Sequence, residues 1–103
     1  MSDRELLELA AKAAGIHWQG VLRDGGVFVH EGREWNPLRN DGDAFRLSCH
    51  LRLDIAFMEG FEQIIVDDYN GSSRAEEDYQ PDMAAAARRA VVRAAAEIGR
   101  TMK

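Results

Sequence analysis

Trp35-Asn36-Pro37-Leu38-Arg39-Asn40-Asp41-Gly42-Asp43-Ala44 is the stretch on which the reading of this chain turns. A large aromatic residue and a Pro-fixed turn run into a polar knot where Asn40, Asp41 and Asp43 are rival helix N-caps, and apolar residues follow at once. A helix therefore starts here. Pro37 biases Asn36 toward extended backbone, so the preceding chain arrives as a loop or strand end. It then sets the Trp35 indole against the body of the fold and turns into the helix. Trp35, Asp41 and Asp43 are accordingly expected as structural anchors, with no chemistry visible among them.

Working outward toward the C-terminus, a helix over 41–51 places Ala44, Leu47, Ser48 and Leu51 on one side. Phe45 and Cys49 would widen the apolar stripe, and Arg46 and His50 lie on the wetter face. From Leu51 the spacing changes. Leu53, Ile55 and Phe57 alternate with Arg52, Asp54 and Ala56, a two-residue period that predicts a strand over 53–58 with Ile55 or Phe57 facing a helical cover. A longer helix reaching Met58 is the alternative. Glu59-Gly60 signals a turn, and 61–67, carrying Ile64, Ile65 and Val66, is the most β-prone run and the expected antiparallel neighbour of 53–58. Asn70-Gly71 signals a hairpin that returns 72–79 as a polar edge strand, whose charges discourage edge pairing. Asp82, after Pro81, caps the last helix. Met83, Ala87, Ala90, Val91, Ala94 and Ile98 form its apolar stripe, with Arg89, Arg93, Glu97 and Arg100 opposite; Gly99 ends it and leaves 100–103 as a frayed tail.

Toward the N-terminus, Ser2 stands three residues before Glu5, the spacing of a capping box. Leu6, Leu9, Ala10, Ala13 and Ala14 recur at helical spacing, Arg4, Glu8 and Lys12 occupy the other side, and Gly15 stands where a left-handed cap belongs. A helix over 3–14 follows. Two β-rich runs, 16–23 and 27–30, flank Asp24-Gly25-Gly26 and read as a hairpin. The order is α-β-β-α-β-β-(β)-α: an α+β fold in a single domain, 1–103, with helices packed on a mainly antiparallel sheet.

Composition bounds the function. With 103 residues, 46% hydrophobic and 30% charged, the chain suits one domain of modest core. A net charge of −5 argues against nucleic acid as the default partner. Cys49 is the sole cysteine, which excludes an internal disulfide, and Met1-Ser2-Asp3-Arg4-Glu5 lacks the basic start and apolar run of a signal peptide. No segment approaches the ~20 apolar residues of a membrane span. A cytoplasmic protein with no membrane association is expected.

Three blocks carry a family resemblance. Trp35-Asn36-Pro37-Leu38 with 41–47, the run 88–99, and Ala11-Lys12-Ala13-Ala14-Gly15-Ile16 together resemble small uncharacterised bacteriophage and prophage proteins described as a phage alpha-beta-alpha sandwich domain. The chain departs from that pattern ahead of the arginines, where Pro81-Asp82 and Ala87 stand in place of Asp-Pro and a threonine. The resemblance implies a phage-encoded protein of the host cytoplasm built of helices on a sheet, and implies no activity.

No catalytic constellation assembles from the sequence. His17, His30 and His50 are isolated, without the spacing that makes a metal site, so no metal or cofactor is expected. Asp41-Gly42-Asp43 lacks the further oxygen ligands of a Ca loop, and capping outweighs it. Cys49, in an apolar stripe without a partner, reads as a core residue rather than a nucleophile. Charge asymmetry goes further: from Glu59 to Asp82 eight acidic residues stand against Arg74 alone, and a basic helix follows. Solvated faces that partly pair with each other are the plain reading. The sharper one makes Arg88, Arg89 and Arg93 a strip that docks a partner or contacts phosphate, since the guanidinium fork suits both carboxylate and phosphate. The expected function is thus non-enzymatic: binding of a protein partner or homodimer formation. The alternative is a nucleic-acid-associated protein using the arginine face.

Overall fold

A computed structural model describes residues 2–16, 28–30, 33–71 and 73–102. The elements follow as α1 (Asp3–Ala13), β1 (Phe28–His30), β2 (Arg33–Trp35), α2 (Asp41–Leu51), β3 (Asp54–Met58), β4 (Gln63–Asp67), β5 (Arg74–Asp78) and α3 (Met83–Thr101), an α+β arrangement in the expected order. β1 and β2 form an antiparallel pair, and β3-β4-β5 form an antiparallel sheet in that order. Residues 17–27, and with them most of the predicted 16–23 strand and its Asp24-Gly25-Gly26 turn, lie outside the described residues. The strand at Phe28–His30 pairs with Arg33–Trp35, so Trp35 arrives as the end of a strand.

α1 begins with the reciprocal capping box: the Ser2 hydroxyl accepts from the Glu5 N–H, and the Glu5 carboxylate accepts from the Ser2 N–H. The Ser2 hydroxyl also lies 3.0 Å from the Glu5 carboxylate, and its hydrogen bond, with that of the Ser2 N–H, holds the Glu5 carboxyl below its ordinary range. The helix ends as its glycine requires. Gly15 sits at φ +69, its N–H bonds the Lys12 carbonyl, and the Ile16 N–H reaches back to Ala11, the Schellman pattern.

The knot between β2 and α2 resolves the rivalry of caps in favour of Asn40. Its side chain accepts from the Asp43 N–H at 2.9 Å. Of the three rivals, Asp41 and Asp43 do not cap, because each side chain is committed elsewhere. Asp43, only 3% exposed, accepts from the Asn36 N–H at 2.9 Å and from Arg46 at 2.7 Å. Asp41 occupies the first helical turn, where a negative charge suits the helix dipole, and pairs with Arg88. Trp35, 7% exposed, joins the main core, so truncating it to Ala is expected to cost about 3–5 kcal/mol.

α3 is the element against which the rest is assembled; it contacts α1, α2, β4 and β5. Asp82 caps it through the Ala85 N–H. Its buried positions, Ala86, Ala90, Val91, Val92, Ala94, Ala95, Ala96 and Gly99, form a far wider band than one stripe, since it is covered on several sides. Met83, expected within the stripe, is exposed. Gly99 does not terminate the helix, which continues to Thr101. Its lack of a Cβ instead lets α1 come against α3.

The alternation after Leu51 is a strand, not a longer helix. α2 stops in a second Schellman turn, with Arg52 at φ +54 and the Leu53 N–H bonded to the Ser48 carbonyl. The register sets Ile55 beside Val66 and Phe57 beside Ile64. Cross-strand partners share a face, so all four belong to the face that α3 covers at β4 and β5. The cover is incomplete at the margin: Ile64 and Val66 are fully buried, while Ile55 is 38% and Phe57 55% exposed. Ile55 and Phe57 thus face the helical side of the sheet as expected, but at its margin, where the helices cover them only in part.

Candidate functional site

The arginines singled out in the sequence do not form a free strip. Each fastens α3 to a different element. Arg88 donates to the Leu38 carbonyl at 2.9 Å and pairs with Asp41 of α2 at 2.6 Å. Arg89 pairs with Asp3 of α1 at 3.0 Å. Arg93 pairs with Glu77 of β5 and donates to the Glu76 carbonyl. Arg89 and Arg93 line a groove of about 700 Å³ with Leu6, Arg74, Glu77 and Glu97, where carboxylates interleave with the guanidinium groups. Arg74 is itself engaged with Glu76 and Asp67. These cations therefore present their forks chiefly to the protein's own carboxylates.

A second surface was not foreseen. Among the described residues α2 is covered along the side that meets α3: Ala44, Leu47 and Ser48 are buried, whereas Phe45 is 67% exposed and Cys49 is exposed. The expected widening of the apolar stripe by Phe45 and Cys49, and Cys49 as a core residue, are corrected by this placement. One step along a helix is a rotation of ~100°, which carries these positions off the covered side. Phe45 and Ile55 instead line a largely apolar groove of about 200 Å³ with Ala44, Ser48, Ala84, Ala87 and Val91, to which the paired Asp41 and Arg88 also contribute. Phe57 continues the Ile55 face along β3, and Met58 and Phe61 extend the exposed apolar surface around the adjoining turn.

The backbone of β3 adds to this surface. The Tyr79 N–H bonds the Glu62 carbonyl and the Asp68 N–H bonds the Ser73 carbonyl, so alternate residues 62, 64, 66 and 68 aim their main-chain groups at β5. Gln63, Ile65 and Asp67 then aim at β3, where they meet Met58, Ala56 and Asp54. The intervening Ile55 and Phe57 turn their N–H and C=O outward. No strand pairs with that edge among the described residues. The alternation was legible as a sequence signal, but the position of β3 at an edge was not.

Among the described residues no group of His, Cys, Asp and Glu is placed to hold a metal ion. His17 and the His30 side chain lie outside them, and His50 is exposed on α2. No described helix is long and apolar enough to cross a membrane. Comparison with family models, with curated proteins and with solved structures finds no match to this chain.

Proposed function

We propose that this is a non-enzymatic binding protein, acting on a protein partner or on a second copy of itself, with the open margin of its sheet as the docking surface. The observation that carries this reading is an apolar groove lined by the exposed Phe45 and Ile55, with exposed Phe57 next along the same face of β3, beside a strand edge that no described strand pairs. Scattered exposed apolar residues are ordinary on a small domain, whereas a contiguous group marks an interaction site. A phage or prophage origin, suggested by the sequence resemblance, and a place in the host cytoplasm belong to the same reading. Docking through Arg88, Arg89 and Arg93, or their use on nucleic acid, is disfavoured because the donors are engaged internally.

The test is affinity capture from host cells with wild type and Phe57→Lys, together with retention of wild type on immobilised DNA at low salt. Binding of a host protein or of a second copy of the chain that Phe57→Lys abolishes, with no retention on DNA, is the expected result. Salt-dependent retention on DNA, with capture indifferent to Phe57, would overturn the reading in favour of the nucleic-acid alternative.

A further inference from the structure

We infer that β3 pairs with β3 of a second copy across a two-fold axis at Ala56, joining the two sheets into one continuous antiparallel sheet; this rests on the docking surface proposed above and names its occupant.

The two edges of the sheet are built differently. β5 presents Arg74, Glu76 and Asp78 along its outer side, and the Glu76 carbonyl, which points away from β4, already accepts from Arg93. Such an edge resists further pairing. β3 reads Asp-Ile-Ala-Phe-Met, is exposed throughout, and keeps the main-chain groups of Ile55 and Phe57 unpaired among the described residues. Pairing two copies through β3 leaves the two charged β5 edges as the outer edges of the joined sheet. The assembly therefore closes as a dimer instead of growing.

The free groups select the register. An antiparallel pair exchanges both hydrogen bonds between residues that face each other with outward N–H and C=O. With the axis at Ala56, Ile55 of each copy faces Phe57 of the other, and every free donor and acceptor of these residues is used. Centring on Ile55 sets Phe57 against Leu53, whose N–H is already given to the Ser48 carbonyl. Centring on Phe57 sets Ile55 against Glu59, which lies in the helical turn after β3.

Side chains agree with the same register. Ile55, which lines the groove, and Phe57 of the other copy form aliphatic–aromatic cross-strand pairs, and Asp54 faces Met58 instead of another carboxylate. Just beyond the strand, Arg52 comes opposite Gly60 of the second copy, one residue along from Glu59, which faces Leu53. Arg52 is exposed and has no ion-pair partner among the described residues.

The experiment uses the full chain in a Cys49→Ser background. At the axis Ala56 faces itself in a non-hydrogen-bonded pair, where Cα atoms stand about 4.5 Å apart, within disulfide reach. Ala56→Cys with oxidised glutathione should give a disulfide-linked dimer many-fold faster than Met58→Cys, whose opposite residue, Asp54, carries no thiol. Sedimentation equilibrium of the uncrosslinked chain should show the mass rising toward twice the monomer with concentration, and Phe57→Lys should remain monomeric with an unchanged circular dichroism spectrum. A monomer at every concentration, or equal cross-linking of the two cysteine variants, overturns the β3 dimer. A dimer that Phe57→Lys does not weaken also overturns it. If the chain is monomeric yet captures a host protein through Phe57, the docking surface stands and only its occupant is wrong; if neither occurs, both fail.

Discussion

Gly99 of α3 lies so close to Leu9 of α1 that a Cβ on the glycine would stand 1.9 Å from the Leu9 carbonyl oxygen. The facing surfaces are lined with buried small residues, Ala10 and Ala11 on one helix and Ala95 and Ala96 on the other. This allows the two backbones to approach. In a free helix, Gly→Ala would stabilise by about 1 kcal/mol. Here the sign reverses, because the obstructing atom is backbone and cannot rotate away. Gly99→Ala is expected to cost about 3 kcal/mol or more, read as a lower urea midpoint. An unchanged or raised midpoint would show that the helices do not meet at this point.

The knot ahead of α2 predicts a ranking. Asp43→Ala leaves the Asn36 N–H without its charged acceptor in a buried site and should cost about 2 kcal/mol or more. Asn40→Ala removes the cap and should cost about 1 kcal/mol. Asp41→Ala breaks an exposed pair with Arg88 and should cost less than about 1 kcal/mol. Denaturant titrations of the three variants that reversed the order of Asp41 and Asp43 would contradict the assignment of roles.

Arg52 and Glu62 both hold left-handed backbone, at φ +54 and +50, which ordinary side chains adopt only at a cost. Arg52→Gly relieves that cost at the end of α2 and should raise stability by about 0.5–1 kcal/mol, measured on dilute protein so that self-association does not contribute. Loss of stability in the dilute state would mean that the Arg52 side chain has packing worth more than the backbone it strains.

Tyr79 is buried, and its hydroxyl has no hydrogen-bond partner among the described residues. Burial pushes the phenol up from its ordinary value of 10.0, and the neighbouring carboxylates of Glu59 and Glu62 push in the same direction. Tyr79→Phe is expected to melt at a higher temperature than wild type at neutral pH. The pH dependence has a definite sign. Above pH 10.0 the unfolded chain loses this proton while the folded chain keeps it, so wild-type stability falls as pH rises there. The Phe variant should lack that part of the decline; melting curves that decline in parallel above this pH would remove Tyr79 as its source.

Caps and periods made the main-chain plan legible before any coordinates. Ser2 with Glu5, Gly15, Asp82 and the two-residue alternation after Leu51 are local signals, decided by the backbone groups of their own neighbourhood. What depends on distant neighbours was not legible. Nothing in Phe45 or Cys49 says that α2 packs on α3 along a side that leaves both of them out. Nothing in Ile55 or Phe57 says that their strand lies at the margin of the sheet, where α3 covers it only in part. The arginines were noticed for their charge, but their partners Asp41, Asp3 and Glu77 come from three separate elements, brought to α3 only by the tertiary fold. Gly99 was read as a helix end because glycine commonly is one; its reason lies in α1, far away in sequence.

The open edge of β3 is tested most directly by amide hydrogen exchange, residue by residue, as the protein is diluted. At low concentration the outward N–H groups of Ile55 and Phe57 should exchange freely, whereas those of Ala56 and Met58, turned toward β4, should be protected. At high concentration the Ile55 and Phe57 amides should become protected as well, with no comparable change along β5. If their exchange is the same at every concentration, or if protection grows along β5 instead, β3 is not the edge through which two copies meet.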